Sequence, residues 1–142
     1  MSQIIVAVAT HKPYKMPDEP IYLPLHVGAE LHPDALPDMQ GGNTRDNSSA
    51  LNASYSELIG LYWLWKNCDA QYKSLVHYRR LLGSADKAEQ HQKDPYEKLV
   101  DGPELLSFLS DKDVVLAKQR NYYIETVYGH YSHTLDGSQL DK

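Results

Sequence analysis

Three short apolar runs alternate with helical segments along this chain, and that alternation restricts the fold more than any other feature of the sequence. Gln3 to Ala9 is β-branched and uncharged, the pattern of a buried strand. Tyr72 to Tyr78, with Leu75 and Val76 at its centre, predicts a second strand, and Asp113 to Ala117 predicts a third of buried type. Between the first two, Ser54 and Glu57 form a Ser-x-x-Glu capping box. Tyr55, Leu58, Ile59, Tyr62 and Trp65 then recur at helical spacing, and this helix ends around Asn67. Asp101 can cap another helix, with Pro103 early in it, Glu104 in its first turn and Leu105, Leu106, Phe108 and Leu109 as its apolar face. A last helix is predicted over Tyr122 to His133, with Ile124, Val127, Tyr128 and Tyr131 on one side. Such an order of strands and helices argues for an α/β fold, a mainly parallel sheet flanked by helices.

The remaining segments are connections. Six of the 8 prolines fall between Pro13 and Pro37, so about residues 13–50 read as an irregular, Pro-rich insertion. Within it, Ile21 to Val27 can hold a short edge strand, interrupted at Pro24. Gly41, Gly42 and Asn43 mark a turn, Thr44 to Ser49 a loop, and Ala85 to Glu97 an exposed loop with some helical turns. A length of 142 residues suits one domain, 1–142.

Composition narrows the function classes. A formal net charge of -5 argues against a general nucleic-acid or anionic-membrane binder. A single cysteine, Cys68, excludes an intramolecular disulfide framework and a Cys-rich zinc site, and fits a reducing cytosol. Ile4 to Val8 is too short for a signal peptide, and no stretch approaches the length of a membrane span. The expected location is cytoplasmic, with a peripheral place at the inner face of the membrane left open. The 11 tyrosines against 1 phenylalanine supply amphipathic rings of a kind that sugar and nucleotide sites use, as do ordinary half-buried surfaces.

The stretches IIVAVATHK, YLPLHVGA, TRDNSSALNASYSELIGLYWLWKN, LVHYRRLL and RNYYIETVYGHYSHT resemble, in order, a bacterial family catalogued as domain of unknown function 4422. Its members are associated with capsular and exopolysaccharide biosynthesis and are described as glycosyltransferases. The resemblance implies a GT-A-like fold. It also implies transfer of a sugar from a nucleotide-sugar donor to a lipid-linked or oligosaccharide (glycan) acceptor. Members carry an aromatic pair after the two arginines, where this chain has Leu81 and Leu82. They continue beyond the point equivalent to Lys142, so the chain is expected to be an N-terminal portion. An apolar face around Tyr128 and Tyr131 is then left uncovered and open to self-association or a partner subunit. The other reading is a non-catalytic nucleotide-sugar- or carbohydrate-binding fragment or partner subunit.

Candidate site residues cluster where strands end, because ligands in open α/β sheets bind outside the carboxyl ends. In GT-A-like transferases the strand after the first long helix ends in an Asp-x-Asp metal motif. Here that position holds His77, Tyr78, Arg79 and Arg80. Arginine presents a planar fork of donors suited to phosphate oxygens, so the expected donor site is cationic and has no cofactor, a divalent metal being the less favoured reading. Strand alternation, however, sends Arg79 and Arg80 to opposite faces. Thr10, His11 and Lys12 end the first strand, and Lys12 can meet phosphate or lie exposed at a strand-to-loop junction. Asp46 and Asn47 can hydrogen-bond sugar hydroxyls, Asp46 as a catalytic candidate, or simply shape a turn. Glu125 can act as base for an acceptor hydroxyl or be a first-turn helix charge. Arg120, Tyr123, His130 and His133 are candidate sugar or acceptor contacts; the His130 and His133 pair falls short of a zinc signature. Glu57 is explained by the capping box. Trp63 falls off its helix's apolar stripe, while Tyr62 and Trp65 fall on it; core packing is expected for all three.

Overall fold

Strand β1 (Ile4–Thr10) has neighbours on both sides, and its pattern of burial follows from that position. This computed structural model describes residues 3–34, 36, 38–85, 94–119 and 126–134, without the side chains of 53, 54 and 131–134. β1 pairs in parallel with β2 (Tyr22–His26) on one side and β4 (Tyr72–His77) on the other; β3 (Gln40–Gly41) extends the sheet from β2. The order is β3-β2-β1-β4, all parallel. The predicted α/β architecture is therefore present: β1 and β4 are two of the three main strands read from sequence, β2 is the short strand read within Ile21 to Val27, and β3 falls where a turn was expected.

β2 is an interior strand, although Pro24 pointed to an edge. The Val27 amide donates to the Thr10 carbonyl, so in a parallel ladder the odd-numbered amides of β2 face β1. Pro24 lacks an N–H only on the far side, where pairing with β3 begins one residue later, at Leu25.

Side-chain alternation along β1 divides the core in two. Ile4, Val6 and Val8 join Tyr22, Val76, Tyr78, Val100 and Leu105 on one face. Ala7 and Ala9 join Leu25, Val27, Ile59, Trp63 and Leu64 on the other. Helix α3 (Gly102–Phe108) covers the first face, starting at Asp101, whose carboxylate accepts from the Glu104 amide as the sequence predicts. The Tyr22 hydroxyl donates to the Val100 carbonyl at 2.7 Å, which ties the sheet to the segment entering α3; burial pushes that phenol up to about 12.

The second face is covered by α2 (Leu58–Asn67), and here the predicted stripe is wrong. One continuous helix from Ser54 is expected. Instead α1 (Asn52–Tyr55) stops, Ser56 takes φ 45 and ψ -126, and α2 starts afresh. The new register buries Ile59, Gly60, Trp63 and Leu64 and turns Tyr55, Leu58 and Leu61 outward, with Trp65 64% exposed. Gly60 makes this possible. A Cβ there would lie 3.2 Å from Leu75 and 3.3 Å from Leu25 and Val27, so the helix rests on the sheet through a residue without a side chain. The Trp63 indole N–H donates to the Thr44 carbonyl at 3.0 Å, which satisfies the one polar atom that this burial encloses.

One further expectation is corrected. Asp113 to Ala117 has no regular secondary structure and pairs with no described strand; Leu116 is 83% exposed and only Val115 leans on the core. Strand propensity is realised only against an adjacent edge. Ala85 to Glu97 is described only in part, with Pro95–Lys98 forming a short 3-10 turn capped by Asp94. Helix α4 spans Val127–Thr134 and leaves Tyr128 56% exposed. No helix among the described residues is long and apolar enough to cross a membrane.

Candidate functional site

At the carboxyl edge of the sheet the chain leaves β1 and β4 side by side, because Ala9 pairs with His77. Both exits are fixed by local bonds. The Thr10 hydroxyl, fully buried, donates to the Lys12 carbonyl at 2.7 Å and turns the chain away, so that His11 and Lys12 stand exposed above the edge. After β4 the Arg80 amide donates back to the His77 carbonyl at 2.8 Å. That tight turn ends the strand at His77, so alternation no longer applies to Arg79 and Arg80. Both line the same cavity, of about 610 Å³, together with Glu57, Leu75, Val76 and His77. A smaller cavity of about 250 Å³, lined by His11, Asn52, Ser56 and others, shares Glu57 and His77 with it.

Glu57 is a functional candidate that the sequence reading set aside in favour of the capping box. Its carboxylate makes no cap hydrogen bond; Oε1 instead lies 3.3 Å from His77 Nε2. The kink at Ser56 aims it there. A serine at positive φ is a strained backbone conformation, and strain of this kind persists where the surroundings hold it. The sequence signal was present: Ser-x-x-Glu fits a cap, but a carboxylate one turn above a strand end equally fits a crevice.

His77 is held from both sides. Its Nδ1 accepts from the Arg79 amide at 3.2 Å while Nε2 faces Glu57. Burial pulls the imidazole below the ordinary histidine range; Glu57 opposes this, and Arg79, His11 and Arg80 add to it. His26, at the end of β2, is also lowered by burial, and its buried Nε2 has no hydrogen-bond partner among the described residues. Both histidines are therefore harder to protonate folded than unfolded. The unfolded chain binds more protons, so stability rises with pH, is complete above the unfolded value of about 6.5, and is lost as pH falls through the lower folded values. The melting temperature is expected to drop as the pH falls below about 6.5, and His26→Gln and His77→Gln should each flatten the drop. A profile unchanged by both substitutions would show that neither histidine contributes.

Tyr78 lies beneath the cluster, 1% exposed, with a hydroxyl that has no partner among the described residues. The rings of His77, Tyr14 and His11 surround it at centroid distances of 4.4, 4.9 and 5.6 Å. The Arg79 guanidinium carbon lies 5.3 Å and Lys12 Nζ 5.9 Å from its ring centroid. Cations over an aromatic face are held by its negative charge distribution, so Tyr78 is a buried platform for the cationic rim.

The other candidates divide. Asp46 and Asn47 are not brought to this edge. Asp46 Oδ1 accepts from the Tyr62 hydroxyl, and the Asn47 amide donates to the carbonyls of Asn43 and Arg45, so both staple the loop beside α2. His130 is exposed on α4 and lines neither cavity. Arg120, Tyr123, Glu125 and the His133 side chain lie outside the described residues. The Asp-x-Asp position offers two guanidinium groups and an imidazole, with one carboxylate, that of Glu57, reaching it from the start of α2. Hard divalent cations are held by oxygen ligands, and this set does not fit one. Among the described residues no group of three or more His, Cys, Asp or Glu is placed to hold a metal ion.

Comparison with known proteins adds to this geometry. A family model described as domain of unknown function, DUF4422, matches residues 5–142. Among solved structures, the fold is similar to the apo structure of WbbM, a bifunctional glycosyltransferase, with a TM-score of 0.77 and 26% sequence identity. That match covers 96% of this chain and 27% of the other, so the chain spans about a quarter of the length of the protein that it matches. No curated protein matches. The fold is thus that of a glycosyltransferase, a GT-A-like α/β sheet with flanking helices.

Proposed function

The chain belongs to the DUF4422 family, and on that premise we propose that it binds a nucleotide-activated sugar at the carboxyl edge of its sheet and serves glycosyl transfer to a glycan or lipid-linked acceptor. One observation carries the reading: Arg79 and Arg80 line a single cavity with the Glu57–His77 pair, at the sheet end where open α/β folds bind ligands. The two guanidinium groups are suited to the diphosphate and to the charge that grows on it as the glycosyl bond breaks. The acceptor hydroxyl attacks the anomeric carbon, the diphosphate leaves with the bonding pair, and the hydroxyl proton passes to a base. Glu57, steadied by His77, is the carboxylate in position to take it. Arginine thereby takes the place of a divalent metal. Capsular or exopolysaccharide assembly on the cytoplasmic side of the membrane is the process that the family association supports.

Isothermal calorimetry with UDP, GDP, ADP and their sugar conjugates, with and without a chelator, tests this. Binding of one nucleotide class, unchanged by chelation, is expected. Binding that disappears with chelator would overturn the metal-free site, and no binding at all would favour a partner-subunit role.

A further inference from the structure

Beside the charged cavity, across Arg79, lies a second one of about 400 Å³ that the transfer reading has not used, lined by Tyr14, Tyr78, Arg79, Tyr96, Lys98 and neighbouring residues. Its size falls within the range of about 300–1,000 Å³ found for small-molecule sites. Its two walls come from distant parts of the sequence and are latched together. Lys15 Nζ meets Asp94 Oδ2 at 2.7 Å, and the Tyr96 hydroxyl donates to the Lys15 carbonyl at 2.9 Å. The Asp94 side chain also caps the turn that carries Tyr96, accepting from its amide at 2.9 Å, and Lys15 Nζ sits 4.4 Å from the Tyr96 ring centroid. The rings are therefore held before any ligand arrives, which is the condition for a preorganised site.

We propose that this tyrosine-walled cavity is a saccharide site and takes the sugar ring of the acceptor; the acceptor role rests on the transfer reading above. The shape of the walls selects the ligand class. Tyr14 meets Tyr78 edge to face, at 68° between planes, so these two rings form no parallel slot; Tyr78 is buried and backs the wall, and the ring surface open to a ligand is that of Tyr14 and Tyr96. A flat nucleobase stacks best between parallel faces, whereas a puckered pyranose presents a C–H face to one ring and hydroxyls toward another. Tyrosine suits both halves of such a ring, being apolar across its face and polar at its tip. Arg79 and Lys98 add donors for sugar hydroxyls at the rim. The position supports the role, because Arg79 lines both cavities, so a sugar held here lies next to the diphosphate that Arg79 is proposed to bind.

Saturation-transfer NMR on the full chain, with methyl α- and β-D-glucopyranoside, -galactopyranoside and -mannopyranoside at millimolar concentration, tests the site. At least one glycoside should receive saturation at its ring C–H protons, and excess UDP should not displace it. Tyr14→Ala and Tyr96→Leu should each reduce the signal several-fold; Tyr14 is half exposed, so its loss leaves the core intact. Displacement of the glycoside by UDP, or signals unaffected by both substitutions, would overturn the proposal, as would UDP binding without any glycoside binding. Glycoside binding in a chain that binds no nucleotide would support the saccharide site while removing the donor reading on which its acceptor role depends.

Discussion

Trp63→Ala is expected to destabilise the fold by about 3–5 kcal/mol, the cost of emptying a large aromatic site, whereas Trp65→Ala should change stability by less than about 0.5 kcal/mol, as exposed substitutions do. The two residues are neighbours on one helix and identical in type, so the contrast isolates register. Trp63 is 4% exposed and packs with Ala7, Leu25 and Val27, and its indole N–H is satisfied by Thr44. Trp65 faces outward, where Lys66 Nζ lies 3.8 Å from its ring centroid. Urea unfolding of both variants measures the difference. Equal losses, or a larger loss at Trp65, would mean that α2 rests on the sheet by the stripe read from sequence and that the break at Ser56 does not set its register.

Arg79→Ala and Arg80→Ala are expected to weaken donor binding by about 1.5–3 kcal/mol each, the worth of a charge-assisted hydrogen bond. That is a loss of roughly ten-fold to 150-fold in affinity for each variant, at 1.4 kcal/mol per factor of ten. Both side chains are exposed, so melting temperatures should stay near that of the parent. The pair is also expected to be unequal. Arg79 lies over the Tyr78 ring and reaches both cavities, so its loss should affect donor and saccharide together, whereas Arg80 lines only the larger one. Calorimetry with the nucleotide that the parent binds, alongside thermal melting, separates the outcomes. Normal affinity in both variants, or unfolding of both, would make the arginines structural.

Much of the fold was legible because strands and helix caps are local. The uncharged run through Val6 and Val8 could pack only between other elements, and Asp101 before Gly102 and Pro103 could start only a helix. The site was legible in part. That His77, Arg79 and Arg80 meet at one cavity could be anticipated because a strand end in an alternating α/β chain is where a ligand crevice forms; whether they bind a ligand is the proposal.

What the sequence by itself determined, then, are the strands β1 and β4, the short strand within Ile21 to Val27, the start of α3 and the α/β alternation, all of which depend on neighbours a few positions away. Tertiary structure alone decided the rest. Leu58 and Trp65 are as apolar as Ile59 and Trp63, so hydrophobicity could not choose the buried stripe; the choice fell to the side of α2 where Gly60 lets the backbone approach Leu25 and Leu75. Asp113 to Ala117 had the composition of a strand and no strand edge beside it among the described residues. Glu57 read as a cap until the kink at Ser56 carried its carboxylate across to His77, twenty residues along the chain but 3.3 Å away. Contacts between distant segments depend on which surfaces the packed core leaves adjacent, and no local pattern encodes that.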